Sequence, residues 1–204
     1  MSYKLYYAPG ACSLSPHIAL CAAELPYELV KVDIRQKTMA DGGDFTAINP
    51  LGYVPVLEFS DGRRLTEGPA IVQYIADQVP DKRLAPPAGD YQRYELQRWL
   101  NFISTELHKM MGALFNPVLA EKAGDFFRDR LKQRLDWLVN TPHGDFLLGD
   151  HFTVADGYLF TVLNWGQFVD FDLSAWPQLQ NYMARVGQLP FVQQALREEG
   201  LLKD

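Results

Sequence analysis

The stretch "PDKRLAPPAGD", residues 80–90, divides this chain into two halves of different architecture. It holds three prolines and no apolar periodicity, a composition that reads as an interdomain linker. Before it, strand and helix signals alternate. Lys4 to Tyr7 is a strand candidate, and Pro16 to Glu24 a helix with proline in its first turn. "YELVKVDI", residues 27–34, alternates as a strand does, and Asp41 to Ile48 is short and mixed. Val54 to Phe59 and Arg63 to Leu65 flank "SDG", a hairpin signal. A helix then starts near Gly68-Pro69. After the linker every periodic segment is helical. Leu96, Leu100, Ile103, Leu107, Met110 and Leu114 form one stripe spaced by three or four. Further helices are predicted over Phe126 to Val139, Val154 to Phe168, Leu179 to Leu189 and Pro190 to Glu199. The expected layout is an α/β domain with a mixed sheet over residues 1–80, a linker over 81–90, and an all-α domain over 91–204.

Charge and cysteine usage narrow the function. The formal net charge is −6, and Lys/Arg cluster no further than pairs such as Arg63-Arg64, which argues against nucleic acid. The first ten residues have no signal-like apolar core, and no apolar stretch is long enough to span a membrane. With two cysteines in 204 residues, the chain reads as reduced and cytoplasmic. Cys12 and Cys21 lie nine positions apart on one helical segment. They would face nearly opposite sides and could not bridge. No metal-ligand spacing stands out: His17, His108, His143 and His151 are scattered, and no cysteine lies near any but His17. No metal is expected.

Within "YYAPGACSLSPHIAL" a cysteine stands where a strand ends and a helix begins. Backbone N–H groups and the helix dipole favour a thiolate there, below the roughly 8.5 of a free thiol. Cys12-Ser13-Leu14-Ser15 is a C-x-x-S, the redox C-x-x-C with a hydroxyl in place of the resolving cysteine. The plainer alternative is a small residue filling a gap. In "NPLGYVPVLEF" Val54-Pro55 precedes a strand. A cis bond there would turn the Val54 backbone outward to pair with an extended peptide; the alternative is an ordinary trans proline. In "LTEGPAIVQY" the N–H groups of a helix start suit a carboxylate, and Glu67 suits an ammonium group. Asn101, Thr105 and His108 share the face opposite the apolar stripe, where plain solvation is the ordinary reading. Thr153 and Asp156 fit a capping box.

Taken together, "YYAPGACSLSPHIAL", "INPLGYVPVL", "LTEGPAIVQYIAD", "WLNFISTELHK" and "LLGDHFTVADGYLF" resemble the glutathione S-transferase family, most closely its bacterial beta class. The resemblance runs the length of the chain. It implies a thioredoxin-like domain followed by a helical one, a cis bond before Pro55, and a homodimer. It implies glutathione as co-substrate with no other cofactor. Its cysteinyl part would pair with Val54, its γ-glutamyl head would sit at Glu67 and Gly68, and its glycyl carboxylate would face Lys37. Cys12 would lie beside the sulfur. Asn101, Thr105, Glu106, Leu107 and His108 would close the site, and the polar face would be a wall rather than solvated surface. Cys12, Ser13 and His108 are the catalytic candidates. The implied activity is attack of the glutathione thiolate on small electrophiles, often apolar or halogenated, of the kind detoxification handles. Met110, Met111, Phe115 and Trp165 are candidates to line their cleft. A glutathione-dependent thiol-disulfide reductase using Cys12, or a non-catalytic binding protein on the same fold, is the rival reading. The pattern departs from the family at Gly68, where serine is common, and at Gly157, where a bulky residue usually staples the helix entry; either Phe152 leans on Tyr158 instead or the staple is absent.

Overall fold

A computed structural model describes residues 2–202. They form two compact units, one of residues 2–85 with 189–202 and one of residues 86–188.

The first unit is built on a five-stranded sheet of order β3-β2-β1-β4-β5. Strands β1 (Tyr3–Tyr7) and β2 (Tyr27–Asp33) run parallel, joined through helix α1 (Leu14–Ala23). Strands β3 (Thr38–Met39), β4 (Val56–Glu58) and β5 (Arg64–Thr66) are antiparallel additions, with Leu5 opposite Leu57 and Leu57 opposite Leu65. The "SDG" turn joins β4 to β5 as its residues require. Helix α2 (Gly68–Asp77) follows, with Pro69 in its first turn where a missing N–H does no harm. Phe45, Val32, Val54 and Val56 pack with Tyr6 in the core.

All ten residues of α1 are buried. A helix apolar all round needs neighbours all round, and α1 has two, α2 and α8 (Pro190–Glu198). This corrects the expected grouping: α8 belongs with the first unit, not with the helical domain. Its anchor is His17, wholly buried on α1, whose Nδ1 lies 2.9 Å from Glu199 and whose Nε2 lies 2.9 Å from Glu198. Burial alone would lower this imidazole, but Cys21 and the two carboxylates raise it from 6.5 to about 10. It is an imidazolium donating to both acids. Glu199 also accepts the Gly10 N–H at 2.8 Å, so the end of α8 grips the loop before Cys12.

The second unit is helical. Helix α3 (Tyr91–Phe102) passes through a π-helical segment (Ile103–His108) into α4 (Lys109–Ala113). Helix α5 (Pro117–Asn140) starts well before the expected Phe126. Asn116 caps it, accepting from the N–H groups of Val118 and Leu119, and its exposed first turns carry no apolar period to betray it. Helix α6 (Val154–Asn164) tightens into a 3₁₀ turn over Trp165–Phe168, and α7 (Pro177–Gly187) completes the unit. The capping box forms as expected: the Asp156 carboxylate accepts from the Thr153 N–H and hydroxyl, each at 2.8 Å. Phe152 meets Phe146 edge-on at 6.2 Å. No helix among the described residues is long and apolar enough to cross a membrane.

The π-helical segment changes which side chains are core. A π turn closes on i+5 and takes up an extra residue. Residues beyond it are rotated back by about one position. Met111 is therefore fully buried in the stripe, and Met110 is only half-buried.

Candidate active site

The loop between β1 and α1 presents Cys12, half-buried, with its thiol donating to the Val54 carbonyl at 3.2 Å. Ser13 holds this loop from within. Its hydroxyl accepts the Ala8 N–H at 3.1 Å and donates to the Ala8 carbonyl at 3.2 Å, and the residue has no exposed surface. That corrects its expected catalytic role: a buried hydroxyl bonded on both sides is a loop brace, not a group facing a ligand. Ser15 is likewise inside α1 and buried. Both cysteines are free; Cys21 is buried with its Sγ 3.1 Å from the Tyr27 hydroxyl.

The Val54–Pro55 bond is cis. Val54's N–H has no partner among the described residues, although the residue is 8% exposed. An unpaired N–H at such burial is a place for a hydrogen-bonding ligand. Pro55 in turn lies by the start of α2: a Cβ on Gly68 would stand 4.0 Å from its Cγ. Glu67 caps α2 with φ at 67°, in the left-handed region. Non-glycine residues there store roughly 1–3 kcal/mol of strain and cluster at functional sites. Its carboxylate is exposed and makes no capping bond.

Lys37, also at positive φ, reaches the same edge from β3's side. Its Nζ donates to the Gly52 carbonyl at 2.7 Å and stands 5.2 Å over the Tyr53 ring. Glycine suits position 52, because its φ is 63° and a Cβ would stand 2.8 Å from the Lys37 Cδ and force the lysine to shift. The first unit thus brings a thiol, an open backbone amide, a free carboxylate and an ammonium group to one edge. Gly52 and Tyr53 were not singled out from sequence. Their only signal was proximity to Val54.

The remaining expected residues stand on the π-helical part of the second unit. Asn101 and Thr105 are exposed, and the Thr105 hydroxyl donates to the Asn101 carbonyl at 3.0 Å. Glu106 is ion-paired to Arg134 Nε at 2.6 Å. Leu107 is wholly buried in the apolar stripe, so its side chain is core and not a ligand contact. Met111 and Trp165 are core in the same way, whereas Phe115 is half exposed. His108 Nδ1 lies 2.6 Å from the Tyr158 hydroxyl, and its ring meets Trp165 edge-on at 4.8 Å. Burial pulls this imidazole down from 6.5 to about 4, with the Lys109 charge adding to the effect. His108 is therefore neutral near pH 7. Tyr158, which fixes the ring, was expected only as a staple.

Comparison with known proteins bears on this arrangement. The model of the glutathione S-transferase N-terminal domain matches residues 10–78, and that of the C-terminal domain matches residues 115–185. GstA of Escherichia coli O157:H7 is 44% identical over 200 residues, 97% of this chain and 99% of that protein. The chain belongs to the glutathione S-transferase family. BphK, a bacterial glutathione S-transferase solved as a ternary complex, is 56% identical with a TM-score of 0.94, over 97% of this chain and 100% of that one. The bacterial beta class glutathione S-transferase of Sphingomonas chungbukensis is 42% identical with a TM-score of 0.91, over 98% and 100%. The beta-class resemblance and the expected pairing of a thioredoxin-like unit with a helical one therefore hold.

In this glutathione S-transferase the neutral state of His108 has a measurable consequence. Its folded pKa, about 4, lies below the ordinary 6.5. As pH falls from 6.5 towards 4, the unfolded chain takes up a proton that the folded chain does not, so stability is lost by up to about 3 kcal/mol. Urea unfolding at pH 7 and pH 4.5 should show that loss, and His108→Gln should flatten it. An equal pH dependence in the variant would show that His108 is not the group responsible.

Proposed function

We propose that this chain is a glutathione transferase, joining the glutathione sulfur to an electrophilic small molecule. One observation carries the reading. Beside the Cys12 thiol, which donates to the Val54 carbonyl, the Val54 N–H has no partner among the described residues. Such a backbone pairs with an extended peptide as one strand pairs with another. The cysteinyl residue of glutathione would lie on Val54, with its sulfur at Cys12. Its ammonium group would meet Glu67, its γ-glutamyl carboxylate the N–H of Gly68, and its glycyl carboxylate Lys37.

The chemistry then needs a thiolate and an electrophile held together. Cys12 offers an S–H donor to the glutathione sulfur, and a hydrogen bond to the charged form favours ionisation. The thiolate attacks an electrophilic carbon, and the leaving group departs with the bond electrons. On the second unit, Asn101, Thr105 and neutral His108 offer polar groups, and half-exposed Phe115 and Met110 offer surface that suits an apolar or halogenated second substrate. Detoxification is the fitting role, with a homodimer in the cytoplasm, glutathione as the sole co-substrate, and no nucleic acid or membrane partner. The expected grouping of residues 1–80 and 81–90 as domain and linker serves this reading.

The test is binding and turnover together. Glutathione should bind at millimolar concentration or below, and an aryl halide should be conjugated by a species sedimenting as a dimer. Oxidised glutathione should add one glutathionyl group per chain, removable by dithiothreitol: the Cys12 thiolate attacks one sulfur and expels glutathione thiolate. Cys12→Ala should abolish the adduct and Cys21→Ala should leave it, read by intact-protein mass spectrometry. No glutathione binding at millimolar concentration would overturn the reading. An adduct on Cys21 would remove Cys12 from it.

A further inference from the structure

The richest cluster of reactive side chains outside this site lies where α8 meets α1. His17 and Cys21 stand four residues apart on α1, so one helix face carries both. Glu198, from the end of α8, and Tyr27, at the start of β2, close on that face. The His17, Cys21 and Glu198 donor atoms all lie within 4.8 Å of one another. The Tyr27 hydroxyl sits against all three, 2.7 Å from Glu198 Oε2, 3.1 Å from Cys21 Sγ and 3.3 Å from His17 Nε2.

We propose that His17 Nε2, Cys21 Sγ, Glu198 Oε2 and the Tyr27 hydroxyl form a four-cornered site for a thiophilic divalent cation of the zinc class. Three features support it. First, the donor set is one nitrogen, one sulfur and two oxygens, which suits zinc and neither magnesium nor calcium. Bonds of roughly 2.0–2.3 Å from a tetrahedral ion place its ligands about 3.3–3.8 Å apart. Four of the cluster's six edges run from 2.7 Å (Tyr27 to Glu198) to 3.3 Å (Tyr27 to His17), and Cys21 Sγ stands within 4.8 Å of the His17 and Glu198 donors, so side-chain shifts of about half an ångström to an ångström accommodate the ion.

Second, His17 already has the outer partner that metal-binding histidines use. Its other nitrogen, Nδ1, is held at 2.9 Å by Glu199, whose carboxylate is wholly buried. Such a carboxylate fixes the ring and its tautomer. Third, there is an entry path. Glu198 is about one-third exposed, and an open groove lined by Tyr7, Leu25, Pro26, Tyr27 and Glu198 runs up to it. On binding, Cys21 would lose its thiol proton and His17 the proton on Nε2, both to solvent, while Nδ1–H stays on Glu199. Thiolate and carboxylate together balance the two charges of the ion. The same Glu199 holds the Gly10 N–H, so occupancy would tie the end of α8 to the loop that carries Cys12.

Cobalt(II) is the probe, because a cobalt–thiolate bond has a charge-transfer band and a tetrahedral ion has intense visible bands. The full chain carrying Cys12→Ser, which removes the other thiol, is stripped with a chelator and titrated in mildly alkaline buffer, where protons compete least. One cobalt per chain with a thiolate band is expected, displaced by zinc. Cys21→Ser should abolish the band. Glu198→Gln, a change at a partly exposed residue that leaves the fold's interior intact, should weaken cobalt binding at least tenfold, and Glu199→Gln by roughly 10–100-fold through the orientation of His17. No saturable band in the Cys12→Ser chain would overturn the proposal. So would a band that survives Cys21→Ser, or an affinity unmoved by Glu198→Gln.

Discussion

Replacement of Asp156 by alanine is expected to destabilise the helical unit by about 4–5 kcal/mol, a large part of the roughly 5–15 kcal/mol that holds a domain folded. Asp156 is wholly buried, yet its carboxylate accepts four hydrogen bonds. They come at 2.8 Å from the Leu147 N–H, the Thr153 N–H, the Thr153 hydroxyl and the Tyr182 hydroxyl. The carboxylate thus joins the loop before α6, the first turn of α6 and the side of α7. Alanine would leave the Leu147 and Thr153 N–H groups and the Thr153 hydroxyl without this partner in a dry interior, and the Tyr182 hydroxyl with only the residue-156 carbonyl at 3.5 Å. Each such group costs about 1–3 kcal/mol, partly relieved where the chain relaxes. Asp156→Asn keeps the shape but sets an NH₂ group against a donor, and should fall between the two. Urea unfolding checks this. A loss under about 1 kcal/mol for alanine would mean that the four bonds contribute little beyond what water offers the unfolded chain.

Glu67→Ala is expected to weaken glutathione binding by about 2–3 kcal/mol, roughly 30–150-fold, because the ligand's ammonium group would lose its charged partner. The backbone supplies a control. Glu67 is held at a φ of 67°, where glycine is free of strain. Glu67→Gly should therefore lose the same affinity while folding at least as stably as the parent chain. Calorimetry with glutathione and thermal unfolding of both variants separate the two effects. Unchanged affinity in either variant would remove Glu67 from the binding site. Loss of affinity only in a variant that has also lost stability would make the residue structural.

Signals that act over a few residues were legible in the chain. The hairpin at "SDG", the helix entry at Gly68-Pro69 and the Thr153/Asp156 box each depend on neighbours within four positions. The chain around Cys12 belongs to the same class, since a strand end followed by Pro-Gly and a helix pattern sets the loop. Helix α5 was shortened because its first turns are exposed, and exposed turns leave no apolar period to read. Ser13 misled for a different reason. A serine beside a reactive thiol invites a catalytic reading, and nothing in the residue order reveals that Ala8, five positions back, takes both ends of its hydroxyl.

By itself, then, the sequence determined the two-part layout, the order of the elements and the residue types available at the Cys12, Val54 and Glu67 edge. Periodicity, turns and caps are local, and local sterics and hydrogen bonding decide them before any tertiary contact forms. Only the tertiary structure decided which of those residues face a ligand and which are core. The π-helical segment moved burial from Met110 to Met111, and Leu107 went to the interior. The last helix left its sequence neighbours to cover α1 because a helix buried on every side needs a second cover. The contacts that hold it there join His17 to Glu198 and Glu199 across 181 and 182 residues. No local pattern encodes such a pairing; it exists because an imidazole buried on α1 must find hydrogen-bond partners, and the packed chain brings the end of α8 to it.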